Sequence, residues 1–184
     1  MRNIKLGKTL VASALGLAVL AGFTPTAGAA DTTTTFSLTS GALSITAPAS
    51  KALGSADITA TSVAGVSLGT VSVNDARGGL LGTWTASVTS TDFTTGTATA
   101  AETIAKANAT YWSGAATASS GTQVLTPGQA LETAKVTLAA SRTAFGASGV
   151  TGTATASWAP TIGFTIPSGA VAGTYTGTVT HSIA

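Results

Sequence analysis

The sequence predicts an all-β protein, an antiparallel Greek-key β-sandwich of immunoglobulin-like type. Three observations predict it. Short runs of period-two alternation recur along the chain, with Trp, Val, Ile, Leu or Phe opposite Thr and Ser. Glycine and proline punctuate those runs, as at Gly41, Pro48, Gly69, Pro127-Gly128, Pro160 and Pro167. The third lies in residues 83–89, where Trp84, Ala86 and Val88 share one face and Thr83, Thr85, Ser87 and Thr89 the other. Burying an indole and a valine is worth on the order of several kcal/mol at about 25 cal/mol per Å², and a strand realises that only against a second sheet.

Taken in order, the chain opens with Arg2, Lys5 and Lys8, an uncharged apolar run over 9–23, then Pro25 and the small residues Ala27, Gly28, Ala29 and Ala30. This is the pattern of a secretory signal peptide over 1–30, which leaves one domain over 31–184. The apolar run falls short of the ~20 residues of a membrane-spanning helix, so no span is expected after cleavage.

Phe36 and Leu38, then Leu43 and Ile45, alternate with Ser and Thr and predict a hairpin around Ser40-Gly41. A loop is expected over 51–57, a short strand over 58–63, and a strand over 66–73 with a bulge or turn at Gly69. Residues 75–79 read as a turn, followed by the Trp84 strand, which closes at Asp92-Phe93 before a small-residue loop over 94–101. One helical turn fits 104–108, a strand 109–113 and a loop 119–128. Residues 131–140 are read as strand with Val136 and Leu138 inward, although Glu132, Lys135 and the alanines also fit a helix. Ala154, Ala156 and Trp158 point inward, Ile162, Phe164 and Ile166 resume the pattern after Pro160, and residues 168–173 form a loop. The last strand carries Tyr175, Val179, His181 and Ile183 on its dry face and a threonine row on its wet one.

Charge narrows the function. Three of the eight basic residues lie in the leader, which leaves five against six acidic residues and a net charge of about −1, so nucleic acid is not an expected partner. There is no cysteine, hence no disulfide, lipid thioether or thiolate chemistry. The single histidine and scattered carboxylates show no metal-ligand spacing, and no nucleophile turn of the G-x-S-x-G kind occurs. No cofactor, metal or catalytic residue is predicted and the chain is read as a non-enzyme. A chance meeting of carboxylates among Asp75, Asp92, Glu102 and Glu132 is the one arrangement the spacing leaves open.

Asp75 and Arg77 flank Gly78-Gly79, where a structural role outweighs a ligand-binding one. Asn108-Ala109-Thr110 matches a glycosylation sequon, a pattern of little weight in a chain of bacterial character. Trp112 is the aromatic to watch. Strand parity sends Tyr111 inward with Ala109 and leaves Trp112 outward with Thr110, an aromatic placed to stack on a sugar or anchor an interface.

Asp75, Arg77 and Gly78, then Gly82-Thr83-Trp84 with Asp92-Phe93, and the run Gly173-Thr174-Tyr175-Thr176-Gly177-Thr178-Val179-Thr180 resemble the WxL-domain surface proteins of Gram-positive bacteria, especially short secreted actinobacterial ones. In place of the two motifs the chain has Trp84-Thr85-Ala86 and His181-Ser182-Ile183. The resemblance implies a secreted protein held non-covalently on peptidoglycan or another cell-wall glycan, with the motif positions Trp84 and His181 as binding residues, to which strand parity adds Trp112. The alternative is a structural or self-assembling surface protein, suggested by low charge and unguarded strand edges. A threonine row presented to a regular surface ranks below both.

Overall fold

The computed structural model describes residues 28–184, so the predicted leader lies, save for its last three residues, outside the described residues. Residues 28–37 carry no regular secondary structure and stand apart from the unit formed by Leu38–Ala184. That unit is an all-β antiparallel sandwich. Among the described residues, helix is limited to single 3-10 turns at Ala100–Glu102, Lys106–Asn108 and Glu132–Ala134, and no helix is long and apolar enough to cross a membrane.

The strands are β1 (Leu43–Thr46), β2 (Ser62–Ser67), β3 (Val71–Ser90), β4 (Phe93–Thr94), β5 (Thr103–Ile104), β6 (Ala109–Trp112), β7 (Ala116–Pro127), β8 (Val136–Thr137), β9 (Arg142–Trp158), β10 (Thr161–Thr165) and β11 (Val179–Ile183). One sheet runs β1-β3-β9-β7, with β11 on the same side of β3 as β1 but further along it. A second runs β2-β10-β6-β8, and β4 and β5 form a small pair.

The two long strands turn a corner. Bulges interrupt the β3–β9 ladder between Asp75 and Trp84, and the β7–β9 ladder shifts beside Gly121. Gly78, Leu81, Gly121, Gly149 and Gly152 all have positive φ there, a region glycine enters freely and leucine does not. The ribbon folds back on itself, so that Trp158 at one end stacks on Phe145 from the other, ring centroids 4.7 Å apart. One core then takes Val71, Val73, Ala154, Ala156 and Trp158 from the first half and Trp84, Ala86 and Phe145 from the second. A neighbouring core joins Val88 and Ala144 to Tyr111, Ile162 and Phe164 of the second sheet.

The sequence reading needs correction at six places, the last strand among them, which starts at Val179 and leaves Tyr175 outside it. The first hairpin is absent: residues 36–39 form no strand, and β1 pairs with β3 instead. The strand expected at 58–63 starts at Ser62, because Asp57 caps a turn by accepting from the Thr59 N–H and hydroxyl. Residues 75–79 are a bulged corner within β3 rather than a turn between strands. The loop expected at 119–128 is mostly β7, whose Gly121 makes a bulge that leaves the strand running. Only Val136–Thr137 of the strand read at 131–140 forms, preceded by a 3-10 turn, although Leu138 does point inward and is buried.

Candidate functional site

The three residues singled out for binding fall in three different settings. Trp84 is 2 % exposed, stacked 6.5 Å from Phe145, so its indole offers no surface to a ligand and serves the interior. This corrects its assignment as a contact residue: period two sends it inward with Ala86 and Val88, and the folded ribbon covers it.

His181 lies on the inner face of β11, half-buried, opposite Val88. Its Nε2 is 3.0 Å from the Tyr111 hydroxyl, and its ring meets Trp158 edge-on at 6.4 Å. Burial pushes its pKa down to about 4 and pushes the Tyr111 phenol up. His181 is therefore neutral near pH 7. The folded state binds this proton less readily than the unfolded chain, so stability is full above about pH 6.5 and drains away as pH falls toward 4. The loss is expected to be on the order of 2–3 kcal/mol. Urea denaturation across that window checks it, with His181→Phe flattening the slope.

His181 also forms part of the wall of a groove of about 670 Å³. Val63 of β2, Phe164 of β10 and Val179 of β11 line it, with Phe93, Ile104 and Tyr175, and segments 47–58 and 170–179 border it. Its size is that of an ordinary ligand or side-chain pocket, and its surface is mainly apolar.

Trp112 sits on the outer face of the second sheet, half-buried, next to Thr161 in the β6–β10 ladder. Its indole crosses β10 and reaches β2, where a Cβ added at Gly65 would collide with the ring. Gly65 is thus a bed for the indole, with the Thr161 methyl group beside it. Strands β2, β6 and β10 contain no charged residue. The arrangement is a pre-set aromatic platform amid hydroxyl groups, suited to stacking on the apolar face of a sugar ring. A glycine inside a strand signals close approach of another group, and Gly65 between Ala64 and Val66 was the clue in the sequence.

The four carboxylates that spacing left open each have a local partner. Asp75 holds Arg77 at 2.9 and 2.8 Å, Asp92 accepts from the Lys106 N–H, Glu102 accepts from Thr97 and Thr99, and Glu132 pairs with Lys135. The Arg77 guanidinium holds the Asp75 carboxyl below its usual range, and hydrogen bonds from Thr99 and Thr97 do the same for Glu102. Among the described residues, no three His, Cys, Asp or Glu side chains gather as a metal would need. The groove walls at 47–58 and the exposed Leu80 and Leu81 of the β3 corner were not flagged by the sequence reading. Neither a family model, nor a curated protein, nor a solved structure matches the chain.

Proposed function

We propose that the chain is a secreted cell-surface protein that associates non-covalently with cell-wall glycan, peptidoglycan first, through the outer face around Trp112. The observation that carries this is the Trp112 indole laid across β10 onto Gly65. A ring fixed in this way loses little conformational freedom on binding, and its uncharged surroundings leave no buried charge when a neutral sugar ring covers it. The leader-like N-terminus, the low net charge and the likeness to WxL-domain proteins support the same reading.

The test is co-sedimentation of the protein over 31–184 with purified peptidoglycan. Trp112→Ala is expected to weaken retention about tenfold, the effect of losing an interface anchor of ~1.4 kcal/mol. Gly65→Ala, which puts a methyl group where the ring lies, is expected to lower retention with the indole still present. Both variants keep the buried core, so thermal unfolding should stay close to that of the parent. Retention unchanged in both variants discards this surface as the contact.

A further inference from the structure

The groove beside His181 has the form of a strand slot. Among the described residues β2 closes one end of its sheet order and pairs only with β10, while β11 pairs only with β3, so each has one edge of N–H and C=O groups that no described strand covers. Neither strand carries Lys, Arg, Asp, Glu or Pro, the usual guards of a free edge. The floor between them is apolar, with Val63, Phe93, Ile104 and Phe164. Lys51 and Asp57 are the charged residues on its border.

The same chain holds a strand-like segment without a face to cover. Phe36 and Leu38 alternate with Ser37 and Thr39, yet they are 87 % and 89 % exposed and form no strand. No charged residue occurs from Thr32 to Ser50. Such a run, apolar on one side and uncharged throughout, is what an apolar slot with free edges accepts by strand addition.

The slot and Leu38 of one molecule cannot meet without undoing β1. Ser40 is anchored, its hydroxyl donating to the Arg77 carbonyl at 2.8 Å, and Gly41 and Ala42 are hydrogen-bonded to Ala76. Leu38 lies two residues before that anchor, a reach of about 7 Å. The groove begins at Ala47, past the far end of β1, roughly 20 Å along an extended chain from Ser40. A second molecule has no such restriction.

From this we infer that residues 34–39 of one copy dock as an added strand in the groove between β2 and β11 of another, with Leu38 and Phe36 on the apolar floor. The contact is head-to-tail, so it builds rings or open chains of copies. It goes beyond attachment to the wall and does not depend on it.

The absence of native cysteine makes the test clean. Leu38→Cys and Val63→Cys proteins, mixed under mild oxidation, are expected to give a mixed disulfide several-fold in excess of like-with-like products. Leu38→Cys mixed with Val124→Cys, whose thiol would sit on exposed β7 and outside the groove lining, should show no such excess. The parent should move from monomer to multiples with rising concentration in light scattering, and Leu38→Asp should hold it at monomer mass. Leu38 is almost fully exposed, so that change leaves folding intact. A parent that stays monomeric, equal cross-linking to positions 63 and 124, or an intrachain disulfide in the double variant with Leu38→Cys and Val63→Cys overturns the inference.

Discussion

Arg77→Ala is expected to destabilise the fold by about 2–3 kcal/mol, the cost of leaving a buried carboxylate without its charged partner. Asp75 is 2 % exposed, and Arg77 meets it with Nε at 2.9 Å and Nη2 at 2.8 Å while the Arg77 backbone N–H donates to the same carboxylate. Nη2 also donates to the Thr83 carbonyl at 2.8 Å, which ties the two sides of the β3 corner together. The guanidinium is partly exposed, so the cost comes from the stranded Asp75 and not from the arginine.

The pH dependence separates this from a general weakening. In the parent the Asp75 carboxyl titrates below its ordinary 3.8, so the stability it contributes is present above that value and is lost as pH falls through the lower, folded pKa. In Arg77→Ala burial outweighs the one remaining backbone hydrogen bond and raises the folded pKa, so the penalty is full at pH 7 and fades as the carboxyl is protonated. The gap between parent and variant should therefore narrow toward pH 3. A gap in urea midpoint that stays constant with pH would show that the corner depends on arginine packing and not on the ion pair.

Trp158→Ala is the second large effect, about 3–5 kcal/mol, as for other aromatic truncations in a closed core. Trp158 is 0 % exposed and lies between Phe145 and His181, at the seam where the folded ribbon meets itself. Phenylalanine at this position should recover most of the loss. The Trp158 Nε1 is buried with no hydrogen-bond partner among the described residues, so the smaller ring gives up area without giving up a hydrogen bond. Thermal unfolding ranks the three proteins. A Trp158→Ala protein that melts with the parent would mean that the two halves of the ribbon do not share a core.

What the sequence made legible were the dry faces. Trp84, Trp158, Tyr111, Ile162 and Phe164 are buried as alternation placed them, and Trp112 falls on the opposite face from Tyr111. The corner was hidden because its bulges in β3 and β9 shift the two-residue phase, so DARGG reads as a turn although the strand continues through it. β7 was hidden because Ser119, Ser120 and Gly121 are turn residues by propensity, and only pairing with β9 extends them. The Trp112 platform was half legible: parity turned the ring outward, whereas its bed belongs to β2, almost fifty residues earlier, which no local pattern reveals.

The pairing of β3 also sets when the protein can fold. Its neighbours are β1, just upstream, and then β9 and β11, whose residues come about 60 to 100 positions later and include the last strand of the chain. Almost nothing local stabilises it, so its apolar face stays uncovered until β9 and β11 have been made. Contacts so distant along the chain place folding in the millisecond-to-second range typical of sandwich topologies. A polypeptide arranged in this way stays extended while its first half is being made, and becomes compact only once β9 and β11 are available to pair.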